Sequence, residues 1–239
     1  MITKRDMEIV EFMLEFGGKT FSGVLEKTFF CSCWSMRQRV STLCKQGTLK
    51  RKKTGFLQPK YYFVLGDDGR EWYLEKHGRE APEGRFSQFN YYHAVLEQIA
   101  FYWVSRLREC VRTTTYKNQM DLLPRKLRHI PDFYFVADGG KIINVEAEIT
   151  KKAQDRYKSI IDQSIKDGAS AILYITESKK ECQSLARTMP RWSGLFFVAI
   201  DDLIKGIKEG QEIRSSKQSE LLGDGIAEND EKNGLFATE

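Results

Sequence analysis

Three acidic residues in the second half of the chain have the types and spacing to bind a divalent metal ion. Asp132 follows Pro131 at the start of an apolar segment, and Glu146 and Glu148 lie two residues apart in the next one. Residues i and i+2 of a strand share a face, and a turn sequence joins the two segments, so Asp132 can lie beside both glutamates. Clustered carboxylates bind Mg²⁺, which activates water and neutralises the charge that develops on a phosphodiester during hydrolysis.

Structural interpretations of these acids also remain open. The two glutamates could form a solvated strand face paired with Lys141 or Lys152, and Asp132 could simply cap its strand. Glu97 lies in a helix upstream, where a glutamate is more often simply exposed on the surface. Arg156 and Tyr157 lie one turn into the helix that follows. The sequence allows two roles for them equally: contact with DNA phosphate or with the carboxylates, or a structural salt bridge.

Positive charge is concentrated near the N-terminus. The whole chain has 38 basic and 33 acidic residues, a net charge of +5, but residues 27–66 contain nine Lys or Arg and no Asp or Glu. A basic segment without nearby acids attracts polyanions such as nucleic acids. A solvated surface with no partner is the alternative, and the local fold pattern is needed to decide between them.

The hydrophobic pattern of this region predicts three helices, a hairpin and a closing helix. Apolar residues recur at helical or strand spacing, with breaks at glycines and polar turns. The predicted segments are helices over 3–16, 19–28, 35–46 and 68–77 and strands over 49–53 and 60–65. This order, with a basic hairpin, is typical of a winged helix-turn-helix.

In this interpretation the third helix enters the major groove and the hairpin lies on the phosphates. The residues predicted to contact DNA are Arg37, Gln38, Ser41, Thr42, Lys45, Lys50, Arg51, Lys52 and Lys53. We expect Arg39 to contribute as well. A winged helix that contacts only protein is the alternative, which the lack of acids in this helix and hairpin disfavours.

The remainder of the chain predicts a mixed α/β sheet. Strands over 130–136 and 142–148 flank the turn Asp138-Gly139-Gly140-Lys141, and two further apolar strands alternate with helices. The predicted fold class is therefore α/β (α+β), with a winged helix domain over 1–80 and a mixed-sheet domain over 87–208. Residues 209–239 contain eight acidic and three basic residues and predict an acidic, disordered tail.

The second domain resembles the PD-(D/E)xK nuclease-like superfamily, which has a restriction-endonuclease-like fold. The resemblance rests on Pro131-Asp132, thirteen intervening residues, Glu146-Ala147-Glu148 and the nearby Lys151. It implies Mg²⁺ as cofactor, with Asp132, Glu146 and Glu97 as metal ligands and Glu148 and Lys151 as catalytic residues. Glu148 occupies the position of the motif's lysine, and some members of the superfamily have Glu there.

The order of the whole chain resembles more narrowly the replication-relaxation proteins of plasmids, which are related to mobilisation accessory (MobC-like) proteins. The matching segments are a Tyr92-His93 helix and a "PD…VEAEIT-K…RY" pattern, here Pro131-Asp132, Val145–Thr150, Lys151 and Arg156-Tyr157. This resemblance implies a double-stranded DNA-binding accessory protein in mobilisation, at an origin of transfer within a relaxosome, or in plasmid replication. Its partners would be a relaxase or other mobilisation or replication proteins. A Mg²⁺-dependent endonuclease or nickase is the alternative, and a ligand-binding transcription regulator is a weaker third.

Other features bear on compartment and assembly. The five cysteines are an odd number spread through apolar patterns, which favours reduced thiols and a cytoplasmic protein over a zinc site at Cys31 and Cys33. Apolar stretches of about seven residues are too short to span a membrane, and no signal-like segment follows Met1. A homodimer is expected from the aromatic-rich helix over 91–108 and from the palindromic symmetry of many DNA sites.

Overall fold

The computed structural model describes residues 2–55, 59–78, 80–81, 91–113, 127–210, 215–218 and 221. Within these ranges the fold is mixed α/β, with eight α-helices, a three-stranded sheet and a six-stranded mixed sheet, so the predicted fold class is confirmed at that level. The chain divides into two compact units, Met1–Tyr102 and Trp103–Glu239. Residues 82–86, which belong to the segment between the two predicted domains, and most of the predicted tail lie outside the described residues. Among the helices described, none has the length and apolar content needed to cross a bilayer.

The first unit contains a three-stranded antiparallel sheet, in the order β1-β3-β2, and five helices, of which the last belongs to this unit up to Tyr102. Its elements are α1 (Lys4–Glu15), β1 (Lys19–Thr20), α2 (Ser22–Phe29), α3 (Cys33–Lys45), β2 (Leu49–Lys53), β3 (Tyr61–Leu65), α4 (Asp67–His77) and α5 (Tyr91–Ser105). The prediction of helix at Lys19 and Thr20 is wrong, because both residues pair with β3.

Local sequence explains where these helices begin and end. Thr3 and Asp6 form a capping box at the start of α1, and Gly17 ends the turn after α1 at a positive φ of 68°. Ser32 caps α3 by accepting a hydrogen bond from the backbone N–H of Ser35 at 3.2 Å. The core between the helices and the sheet is apolar and includes Ile9, Met13, Leu25, Leu43, Leu49 and Leu65.

The second unit contains a six-stranded sheet in the order β4-β5-β6-β7-β8-β9. Strands β4 to β6 are antiparallel, β6 to β8 are parallel, and β9 is antiparallel to β8. The elements are β4 (Cys110–Arg112), β5 (Phe133–Ala137), β6 (Lys141–Ala147), α6 (Gln154–Lys166), β7 (Ala169–Thr176), α7 (Lys179–Thr188), β8 (Leu195–Ala199), α8 (Ile200–Glu209) and β9 (Ser216–Lys217). The predicted hairpin between β5 and β6 is confirmed, with Gly139 at a positive φ of 71° in its turn.

Both faces of β6 are covered. Ile143 and Val145 are buried as expected, but Asn144, Glu146 and Glu148 are buried as well, at 0%, 7% and 6% exposure. The interpretation of the two glutamates as a solvated strand face is therefore wrong. The apolar cluster on the side of the sheet that packs against α6 and α7 includes Tyr157, Ile160, Ile172, Tyr174, Leu185 and Phe197.

The chain after Gly210 contributes to the sheet, although a disordered tail was predicted there. Ser216 and Lys217 pair with β8. The buried side chain of Gln218 then donates to the carbonyl oxygens of Ala186 at 2.9 Å and Met189 at 3.2 Å. Residues 216–218 therefore belong to the folded unit.

Candidate functional site

One face of α3 is exposed and carries four of the nine side chains predicted to contact DNA. Met36, Val40 and Leu43 are buried in the core. On the opposite face Arg37, Gln38, Ser41 and Lys45 are exposed. The predicted contact Thr42 is half-buried, and its hydroxyl donates to the carbonyl oxygen of Gln38 at 3.1 Å, so this side chain is already engaged within the helix.

The four cationic residues of β2 are divided between two faces. Successive side chains of a strand point to opposite sides, so Arg51 and Lys53 share one face while Lys50 and Lys52 share the other. The Lys50 ammonium lies 3.1 Å from both carboxylate oxygens of Asp67 in an exposed ion pair. Sequence alone did not show that this lysine faces an acid from α4.

Three of the predicted cations line one groove of the first unit. Arg37 and Lys45 of α3 and Arg51 of β2 border a space of about 900 Å³. Ser41 and apolar residues of α3 also line this space, as does one acid, Glu26 of α2. We call this space the cationic groove, and its three positive side chains give it a local charge that favours an anionic ligand.

Arg39 has a structural role instead of the expected DNA contact. Its Nε donates to Asp6 Oδ1 at 2.8 Å, and its Nη2 pairs with Asp6 Oδ2. Burial alone would raise the pKa of Asp6, but hydrogen bonds from Arg39 and Thr3 outweigh burial and lower this pKa to about 2. The guanidinium of Arg39 is thus committed to joining α3 to α1.

Trp34 is a feature of α3 that the sequence interpretation missed. Its side chain is 72% exposed, the highest exposure among the large hydrophobic residues that the structure describes. A signal was present, because Trp34 lies off the stripe formed by Met36, Val40 and Leu43 on a helical wheel. It precedes Arg37 and Gln38 by three and four residues, which places all three on neighbouring positions of the helix surface.

In the second unit, the register of β5 and β6 brings the predicted acids to one end of the sheet. Phe133 pairs with Val145, so Asp132, one step beyond the pair, lies level with Glu146. The Asp132 carboxylate is buried and accepts a hydrogen bond from the backbone N–H of Ala147 at 2.8 Å. The predicted neighbours Asp132 and Glu146 are therefore adjacent at this position.

His129 is a member of this site that the sequence interpretation did not include. Its Nε2 lies 2.5 Å from Oε1 of Glu146. Its backbone N–H donates to Asp167 Oδ2 at 2.9 Å, which fixes the residue beside the sheet. Burial raises the pKa of Glu146, the hydrogen bond from His129 partly offsets this, and the charge of Asp132 raises it again. Glu146 thus lies where another negative charge is unfavourable and a cation is favourable.

Glu148 pairs with Lys152, one of the two lysines that the structural interpretation named for such a pair. The Lys152 ammonium contacts Glu148 Oε2, whereas Lys151 is exposed. The backbone N–H of Lys152 also donates to the Tyr157 hydroxyl at 2.9 Å. Burial raises the pKa of Tyr157, and the charge of Glu148 adds to this effect. The lysine adjacent to the acids is therefore held by both Glu148 and the start of α6.

Two buried polar side chains lie on the sheet next to the acids without hydrogen-bond partners among the described residues. Both amide atoms of Asn144 and the hydroxyl of Tyr174 are in this state. Tyr174 is the register partner of Glu146 on β7, and Asn144 precedes Glu146 by two residues on β6. Each unsatisfied buried polar group costs about 1–3 kcal/mol, so this region is suited to a bound cation or water that would satisfy such groups.

Glu97 lies in the first unit, on α5. Its side chain is buried, and its Oε2 is 3.9 Å from Nδ1 of His93, four residues earlier on the same helix. Its assignment as a fourth acid of the metal site stays a prediction.

No protein-family model, curated protein or solved structure matches this chain. The cationic groove and the buried acids are therefore the features from which a function can be inferred.

Proposed function

We propose that the first unit is a winged helix-turn-helix that binds double-stranded DNA. The observation that carries this proposal is the convergence of Arg37, Lys45 and Arg51 on one groove beside an exposed helix face. The order of three helices followed by the β2–β3 hairpin, with β1 as a third strand, supports this assignment. Winged helix domains insert the third helix into the major groove.

In this arrangement the helix and the hairpin have different tasks. Arg37 and Gln38 are exposed on the first half of α3, where side chains can donate to base edges. Arg51 and Lys53 share a face of β2 and neutralise phosphates, which positions the helix without reading the sequence. The guanidinium of Arg51 lies 4.7 Å from the centre of the Tyr61 ring, and this contact supports its position on the hairpin.

We further propose that the DNA belongs to a plasmid or another mobile element, with the protein acting as an accessory factor in mobilisation or replication. The support is the resemblance described for the order of the two units and for the segment from Pro131 to Tyr157. A relaxase or replication protein is the expected partner, and a homodimer would match a palindromic site.

A mobility-shift titration over a series of salt concentrations tests the DNA-binding proposal. The wild-type protein should bind duplex DNA, and log affinity should fall linearly with log salt at a slope of about −0.9 for each phosphate contact. Arg51→Ala should reduce this slope by about one contact. Lys180→Ala, which removes an exposed cation of α7 in the second unit, is the matched control. Absence of binding at moderate salt would overturn the proposal.

A second candidate function is Mg²⁺-dependent DNA cleavage by a PD-(D/E)xK nuclease-like second unit. The specific observation is the buried pair Asp132 and Glu146, level with each other at one end of the sheet, with Lys152 close to the second glutamate. The order β4-β5-β6-α6-β7 also agrees with that fold.

The chemistry of the donors in the second unit fits a hard divalent cation. Asp132 and Glu146 offer carboxylate oxygens, the ligands that Mg²⁺ and Mn²⁺ prefer. Such an ion would supply a Lewis acid for the phosphodiester. Among the described residues, Lys152 is placed to orient a water beside Glu148, and His129 holds the carboxylate of Glu146 in position.

Incubation of supercoiled plasmid with the protein and Mg²⁺ or Mn²⁺ tests this second function. The wild-type protein should convert the plasmid to the nicked form, and Asp132→Ala should abolish conversion. Glu177→Ala, which removes an exposed acid after β7, should leave cleavage intact. An intact plasmid with the wild-type protein over a range of both metals would exclude cleavage and leave DNA binding as the proposed function.

A further inference from the structure

Trp34 is a large aromatic side chain that the first unit leaves in solvent. It is the second residue of α3 and is 72% exposed. A single exposed apolar side chain is common on protein surfaces, but tryptophan is enriched among residues that contact a partner. Trp34 lies one turn before Arg37, a residue of the cationic groove, so its position points to the ligand of that groove.

The chemistry of an indole ring limits what it can recognise on DNA. Its one polar group, Nε1–H, is a single donor, so it cannot form the two simultaneous hydrogen bonds to a base edge that Arg or Gln forms. Its flat face matches the face of a nucleobase, which is accessible only where a base is unstacked. A stacking aromatic beside cations that follow the phosphates is the combination that proteins use on unpaired nucleotides.

We propose that Trp34 stacks on an unpaired base, so that the first unit binds DNA with a locally open duplex more tightly than uninterrupted duplex. This inference rests on the proposed DNA-binding function and names the form of DNA that the groove favours. Lys45 and Arg51 hold the phosphates of the flanking duplex, and the indole supplies the preference for the open base.

Fluorescence anisotropy with two labelled DNA molecules tests the inference. One is a plain duplex, and the other is the same duplex with a three-nucleotide bulge that carries 2-aminopurine. The wild-type protein should bind the bulged DNA about tenfold more tightly and should quench the 2-aminopurine by stacking. Trp34→Ala should lose both the preference and the quenching while it keeps its affinity for plain duplex.

Two further variants separate stacking from a general surface effect. Trp34→Phe retains a smaller aromatic face and should keep part of the preference. Leu74→Ala removes another exposed hydrophobic side chain, 47% exposed on α4, and should change neither affinity. Because Trp34 and Leu74 are both exposed, neither change removes a residue of the apolar core.

The outcomes distinguish this inference from the function on which it rests. Failure of the wild-type protein to bind either DNA overturns both. Equal binding of both DNA molecules by the wild-type protein, or an unaltered preference in Trp34→Ala, overturns the stacking role and leaves duplex binding in place. Loss of affinity for both DNA molecules in Trp34→Ala also overturns it, because the ring would then contact paired DNA.

Discussion

Arg39 of α3 and Asp6 of α1, which are 33 residues apart, form an ion pair in which the Asp6 side chain is fully buried. The pair uses both the Nε and the Nη2 of the guanidinium, an arrangement that fixes orientation as well as distance. Arg37, two residues earlier, is exposed and lines the cationic groove. Two arginines of one helix therefore have separate tasks, one in stability and one in the proposed recognition of DNA.

We predict opposite phenotypes for Arg37→Ala and Arg39→Ala. Arg37→Ala should weaken DNA binding roughly tenfold with little change in stability, because the side chain is exposed and its charge faces the groove. Arg39→Ala should lower the free energy of unfolding by about 2–4 kcal/mol, since it leaves a buried carboxylate without its cation. Urea denaturation and mobility shifts on both variants check this. If the two variants lost the same DNA affinity and had the same free energy of unfolding, the separation of roles would be contradicted.

Acid should destabilise the protein through Asp6. Its pKa falls from 3.8 to about 2 in the folded state, a shift that corresponds to about 2 kcal/mol. Because the folded-state pKa is the lower one, this stability is present above pH 3.8 and is lost as the pH falls toward 2. Urea unfolding of wild type and Asp6→Asn can be compared from about pH 6 to pH 2, a range that includes both pKa values. The difference between their free energies of unfolding should become smaller as the pH falls. Glu8→Gln, at an exposed position of α1, should leave the pH dependence unchanged.

Glu146→Gln should stabilise the protein in the absence of metal. The raised pKa of Glu146 means that the charged carboxylate is disfavoured in the folded state, so the cost develops as the pH rises above the ordinary value of 4.5. At pH near 7 the amide should therefore raise Tm. It should also abolish any rise in Tm caused by millimolar Mn²⁺. Thermal melts with and without Mn²⁺ check both effects, with Glu177→Gln as the control, and a lower Tm in metal-free buffer would contradict them.

Alanine substitutions of Lys152 and Lys151 should have different effects on stability, although the two residues are adjacent. Lys152→Ala should lower the free energy of unfolding by roughly 1–3 kcal/mol, because it leaves the buried Glu148 carboxylate without its ammonium. Lys151→Ala removes an exposed side chain and should change stability little. If the second unit cleaves DNA, only Lys152→Ala should reduce nicking of supercoiled plasmid. Equal stability of the two variants would show that the contact with Glu148 is not structural.

Local patterns were sufficient for the longer elements. The stripe of Met36, Val40 and Leu43 predicted α3, and the turn Asp138–Gly140 predicted the hairpin that brings Asp132 level with Glu146. Strands of two or three residues, such as β1 and β9, are too short to show a hydrophobic period, so no pattern predicted them. They form because a neighbouring strand offers hydrogen-bonding groups, which is a tertiary effect.

Contacts between distant residues account for what the sequence missed at the candidate sites. Nothing near Arg39 shows that Asp6 will neutralise it, and nothing near Glu146 shows that His129 will lie beside it. The alternation of apolar and polar residues along β6 predicted one solvent-exposed face. Asn144 on that face is buried, because elements far along the chain cover it. Side-chain types and spacing thus indicated the candidate groups, while their partners depended on the fold.

The pairing of Ser216 and Lys217 with β8 affects how the chain can be shortened. Removal of residues 211–239 would take away the acidic C-terminal segment and β9 together. The backbone N–H and C=O groups of β8 on that side would then lie at an open sheet edge, flanked by Leu195, Phe196 and Phe197, which is a template for aggregation between molecules. Truncation after Leu221 keeps β9 paired with β8. The acidic residues after Leu221 can therefore be removed without exposing the edge of the sheet.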